Sequence, residues 1–167
     1  MAMNSLKDLF AAQLHLLYDA ELQLIAAMPK IIIRASTEAL KAELEKHLVE
    51  THIHVTRLEL IATEMRIRNL GRESKGMKGI LEEADDLLAP KSAPEILDAA
   101  IIAVCERIEN YEIAGYGTAL AFSEVIGNEI STKYLHQTLC EERSAGRIFV
   151  NIGAASVNEA ADDVASY

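Results

Sequence analysis

Apolar residues recur at steps of three and four along almost the whole chain, the spacing of one face of an α-helix. Leu6, Phe10, Leu14, Leu17, Leu24 and Met28 make a first stripe; Leu40, Leu44, Leu48, Val55, Leu58, Ala62 and Met65 make a second. A third runs through Leu97, Ile101, Cys105, Ile108, Ala119, Phe122 and Ile126, and a fourth through Leu135, Leu139, Phe149 and Ile152. No segment alternates apolar and polar residues between turn signals, so no strand is predicted.

The breaks between stripes set the boundaries. Ser36-Thr37 parts the first two stripes, and either hydroxyl can cap the second helix. Asn69-Leu70-Gly71 ends that helix with a residue tolerant of left-handed backbone. Ser92-Ala93-Pro94-Glu95 reads as a capping box with proline near the first turn, and Gly127-Asn128 separates the last two stripes. Pro29 should kink the first helix or end it early. The long helices are therefore expected at 5–34, 37–69, 94–126 and 128–152, with a short amphipathic helix at 77–88. After Asn151 an Ala/Asp/Ser-rich tail is expected as a short last helix or a frayed end. Each long pair has a short link and should form an antiparallel hairpin. The connection between the pairs, roughly 20 residues, can cross the length of a bundle. The expected fold is all-α: a single ferritin-like four-helix-bundle domain over 1–167, two hairpins joined by a long crossover.

Composition narrows the function. The chain has 167 residues, 16 basic against 26 acidic, and a net charge of −10, which disfavours nucleic acid and anionic membrane surfaces as partners. No apolar run reaches the ~20 residues of a membrane span, and Met1–Asp8 does not read as a signal peptide. Cys105 and Cys140 are lone thiols outside any C-x-x-C pair and read as small core residues, so a cytoplasmic location is expected.

The chemistry lies in acids that interrupt apolar stripes. Glu21, Glu112 and Glu142 sit on the inner faces of their helices, and Glu50 lies one step off the stripe centre, beside His47 and His54. An ionised carboxylate is rarely buried alone. Reflecting Glu21 through a turn centred between Ala35 and Ser36 gives Glu50; reflecting Glu112 through Gly127 gives Glu142. At about 1.5 Å per residue each acid is ~22 Å from its turn, so all four should meet at mid-height. Such a set either takes up protons or holds cations. Oxygen ligands supplemented by imidazole suit one or two ions of iron or manganese. Tyr18 and Tyr116, each about one turn from an acid, can offer a hydroxyl to a ligand carboxylate. Gly115 and Gly117 allow close helix approach or leave space for a metal.

Tyr18-Asp-Ala-Glu21-Leu-Gln-Leu24, His47-Leu-Val-Glu-Thr51, Gly79-Ile-Leu-Glu-Glu-Ala84, Ile108-Glu-Asn-Tyr-Glu-Ile-Ala-Gly-Tyr-Gly117 and Thr138-Leu-Cys-Glu-Glu142 carry a resemblance over nearly the whole chain. The sequence resembles the YciE/YciF family of bacterial stress-associated, ferritin-like proteins. The resemblance implies a ferritin-like homodimer with an inferred di-metal site. It implies Glu21, Glu50, Glu112 and Glu142 as ligand-like acids, with His47 and Glu109 beside them.

Three positions depart from the usual dinuclear pattern of Glu-x-x-His on two helices. Ile53 and Ala145 stand where the two histidines would be, and Gly146 replaces an acid common in the family. His54 and Glu109 can stand in for lost ligands. Two functions are therefore expected as alternatives. One is a metal-binding stress protein with ferroxidase or peroxide-handling chemistry; the other is a metal-free structural homodimer with a degenerate site.

Overall fold

The computed structural model describes residues 3–164, apart from the side chain of Ser156. Helices α1 (Leu6–Ile32), α2 (Glu38–Glu64), α4 (Pro94–Ile126) and α5 (Glu129–Ile152) form the bundle, and α3 (Lys75–Leu88) lies in the crossover. A π-helical turn, Gly153–Val157, leads into α6, Asn158–Asp163, so the described part of the tail is helical; its last three residues lie outside the described set. No strand occurs among the described residues.

The long helices pack cyclically: α1 against α2 and α4, and α5 against α2 and α4. Side-chain pairs fix each direction. Tyr18 reaches Glu59 while Glu21 reaches His54, and Arg57 meets Thr138 while His47 packs on Phe149. Neighbouring helices are thus antiparallel, and the crossover returns the chain to the end from which α4 must start.

Pro29 does not stop α1 at once. The helix runs three residues past it to Ile32, since in the last turn proline forfeits only the bond to the carbonyl one turn back. The turn that follows, Ile33–Thr37, is longer than the spacing suggests. Neither Ser36 nor Thr37 caps α2 with its own hydroxyl. Both residues instead turn their backbone N–H and hydroxyl groups onto the buried Asp98 carboxylate of α4, at 2.5–2.8 Å. Burial alone would raise the Asp98 pKa, but bonds from Thr37 and Ser36 outweigh it and hold the carboxyl below its ordinary value. Asp98→Ala is expected to cost about 2–4 kcal/mol in urea unfolding, because four donors lose one anion. The folded pKa is depressed, so this contribution is present at neutral pH and is lost as acid protonates the folded carboxyl.

The second helix ends at Glu64, before Asn69-Leu70-Gly71. The Ile67 N–H donates to the Ala62 carbonyl and the Arg66 N–H to that of Thr63, a Schellman pattern with Arg66 at φ +55°. An arginine there gives no sequence signal. At the start of α4, Ala93 rather than Ser92 holds the cap position, with Pro94 in the first turn. Gly127 (φ +76°) and Asn128, whose side chain accepts from the Ser131 N–H at 2.8 Å, make the tight α4–α5 turn. Of the two thiols, Cys105 is buried and Cys140 is exposed, because Cys140 falls outside the Leu135–Leu139 face.

The apolar core comes in two bodies. One gathers Leu24, Met28, Leu44, Ile101, Ile108 and Phe149; the other gathers Phe10, Leu14, Leu17, Leu58, Tyr116 and Leu139. Between them, at mid-height, the interior is polar.

Candidate metal centre

Four helices meet at that polar layer. The first contributes Glu21; α2 contributes His47 and His54, two turns apart on one face with Thr51 between them; α4 contributes Glu109 and Glu112; α5 contributes Glu142. All six are buried, and none of the four carboxylates is more than 1% exposed. One donor atom from each of His47, Glu109, Glu112 and Glu142 lies within 4.8 Å of the others, and the same holds for Glu21, His54 and Glu142. Glu142 belongs to both groups. The layer therefore consists of two adjoining positions that share a carboxylate.

Hydrogen bonds around the rim orient the set. His54 Nε2 is 2.9 Å from Glu141, whose carboxylate Arg57 grips at both oxygens (2.5 and 3.0 Å). The acceptor at Nε2 leaves Nδ1 to face inward, 2.8 Å from Glu142 and 3.5 Å from Glu21. The Tyr116 hydroxyl donates to Glu21. His47 Nε2 is 3.3 Å from Glu109, and the Phe149 ring stands edge-on to the His47 ring.

The interior atoms are short of partners. Both oxygens of Glu109 and Glu112, one oxygen each of Glu21 and Glu142 and both nitrogens of His47 make no hydrogen bond, while the other Glu142 oxygen pairs with His54 Nδ1. Leaving one buried polar group unmade costs about 1–3 kcal/mol. Cations would satisfy all of them. Ligands of one first-row ion at about 2.1 Å lie up to ~4.2 Å apart, so the observed spread closes with small side-chain movements. The donor set, four carboxylates and two imidazoles, is the one used by dinuclear carboxylate bundles, redistributed among the helices.

Burial, then the neighbouring carboxylates, raises the pKa of Glu112 well above the usual range and that of Glu109 to about 10; burial also raises that of Glu21. Burial lowers the His47 pKa to about 4. Burial would lower that of His54 too, but Glu142 and Glu21 outweigh it and push it up to about 11. Between pH 7 and 9 the metal-free fold thus retains protons that the unfolded chain has released. Stability should fall with rising pH there, by up to about 1.4 kcal/mol per pH unit for each proton retained. His47 adds no slope in that window, being neutral in both states above its ordinary value. Urea midpoints of metal-free protein at pH 7, 8 and 9 check this; midpoints that hold constant or rise would contradict it.

Of the residues expected at the centre, Glu50 is not brought to it. Its carboxylate is part-exposed and pairs with Lys46 at 3.1 Å, because Glu50 lies one residue round the helix from Thr51, and the buried face of α2 is held by His47, Thr51 and His54, with His54 opposite Glu21. Tyr18 points outward to Glu59. Gly115 allows close approach of α1: a Cβ there would lie 2.7 Å from Leu17 Cδ2. Glu141 and Arg57 carried no sequence signal, since an acid and an arginine on part-exposed faces look like ordinary surface charge.

Over residues 5–162 the chain matches the family described as a domain of unknown function, DUF892, and it belongs to that family. It is 32% identical to protein YciF of Escherichia coli over 99% of this chain and the whole of that protein. The crystal structure of that stress protein superposes with a TM-score of 0.88, covering 93% of this chain and 99% of that one. A Rhodopseudomonas palustris protein, YcfI, called a structural protein, is also 32% identical and superposes at 0.84 over 87% of this chain and 93% of its own.

Proposed function

We propose that this chain is a stress protein that holds two iron or manganese ions at mid-bundle, with Glu142 shared between them. His47, Glu109 and Glu112 complete one site, and Glu21 and His54 the other. The observation that carries the reading is the set of unpartnered, buried carboxylate and imidazole atoms converging from four helices.

Iron held there would supply one-electron chemistry toward dioxygen or peroxide, as in ferroxidase or peroxide-handling proteins. The chain's own residues prepare for this. Glu141, fixed by Arg57, keeps His54 Nδ1 turned inward, and Tyr116 holds one oxygen of Glu21. Glu109 and Glu112 would give up protons as cations arrive, and His54 the proton on Nδ1. Phe149 and Tyr116, both fully buried, screen the layer from bulk water on its two sides. The same proposal includes a homodimer, for which the exposed Val49, Ile53 and Leu60 of α2 offer an apolar face.

Anaerobic reconstitution with Fe(II) or Mn(II), followed by elemental analysis, is expected to give about two ions per chain, and fewer than about one in Glu142→Ala. Substoichiometric metal that Glu142→Ala does not change would leave the second reading, a metal-free structural protein. That reading is favoured by the description of YcfI and by the missing Glu-x-x-His motifs.

A further inference from the structure

Glu109 differs from the other acids of the layer in what lies beyond it. A groove of about 420 Å³ runs from solvent between α4 and α5, lined by Glu106, Glu109, Asn110, Arg143, Gly146 and Arg147 among others. Glu109 forms part of its wall although the residue is only 1% exposed, and neither of its carboxylate oxygens has a hydrogen-bond partner. Gly146 keeps the passage open. A Cβ there would lie 3.5 Å from Glu109 Cβ and 3.8 Å from its Cγ and from Ile113 Cδ1, so even a small side chain would begin to cover the acid. Another cavity touching this layer, bounded by Leu24, Met28, Leu44, His47 and the inner side of Glu109, holds about 10 Å³, room for no more than a single water molecule.

The charge at the lip runs against that of the chain. On a protein with a net charge of −10, Arg143 and Arg147 stand one turn apart on α5, both exposed. The arginine ion pairs among the described residues are Arg57–Glu141 and Arg107–Glu83, and neither Arg143 nor Arg147 has one. Against the single part-exposed carboxylate of Glu106 on the facing wall, the two unpaired guanidiniums leave the lip net positive above the buried Glu109, a local anion trap leading inward.

We propose that this groove admits a small anion, which Arg143 and Arg147 collect and which reaches the metal centre at the Glu109 side. The inference rests on the metal reading above. Its test is azide titration into protein loaded with Co(II), a spectroscopic stand-in whose visible absorption reports a new ligand. Wild-type protein should show a saturable change. The double variant Arg143→Gln/Arg147→Gln should take up the same cobalt and bind azide about tenfold more weakly. Gly146→Leu should lose the response. Because that side chain also packs on Glu109, Val150→Trp at the outer lip serves as a second plug that leaves the acid untouched, and it should lose the response with cobalt uptake intact. Wild-type protein that takes up no cobalt overturns this inference and the metal reading together. Cobalt uptake with no azide response, or an equal response in all variants, overturns this inference alone.

Discussion

Loading the mid-bundle layer with Fe(II) or Mn(II) raises the melting temperature by about 8–16 °C, and a chelator reverses the rise. The figure follows from linkage: an ion at a thousand times its Kd adds about 4 kcal/mol, and each kcal/mol is worth about 2–4 °C in a domain of this size. The effect should be large because the metal-free fold has an uncompensated interior, with both oxygens of Glu109 and Glu112 and one of Glu142 buried and unpartnered. Differential scanning calorimetry with metal and then with chelator measures it. A melting temperature unchanged by both would mean that protons already satisfy the layer.

The second large effect runs in the opposite direction in the two states. Glu112→Leu is expected to make the metal-free protein more stable, by about 1–3 kcal/mol, while removing most of the stabilisation by metal. Glu112 is wholly buried, both of its oxygens lack partners, and burial raises its pKa well above the usual range, favouring the protonated form. Replacing such a group with an apolar side chain of similar size relieves its unmade hydrogen bonds. Urea unfolding of the metal-free variant and wild type, repeated after loading, separates the two effects. A destabilised metal-free variant would place Glu112 in an intact hydrogen-bond network and count against a layer built for cations.

The pattern of apolar steps carried the bundle, its two hairpins and the crossover helix, because helix periodicity depends on burial alone. The polar layer was legible for the same reason: Glu21, Glu112 and Glu142 interrupt apolar faces, and a bundle leaves such groups nowhere else to go. Reflection through the turn succeeded where the turn is tight. Gly127-Asn128 joins α4 and α5 with almost no slack, so Glu112 and Glu142 arrive at one level. It failed at the first hairpin, where five residues, two of them bound to Asp98, separate α1 from α2 and the contacts Glu21–His54 and Tyr18–Glu59 reflect about Thr37 to Ala39. That shift exchanged Glu50 for His54. The loss of Glu-x-x-His at Ile53 and Ala145 likewise reads differently in three dimensions. Both imidazoles come from α2, and the fourth acid, Glu109, comes from α4.

The most direct test of two ions sharing one carboxylate is crystallographic. Crystals loaded anaerobically with Fe(II) and measured on both sides of the iron absorption edge should show two anomalous peaks inside the bundle. One should lie among His47, Glu109, Glu112 and Glu142 and the other among Glu21, His54 and Glu142, with Glu50 bound to neither. Fully loaded crystals with no peak between the four helices, or with iron only on surface carboxylates, would contradict it.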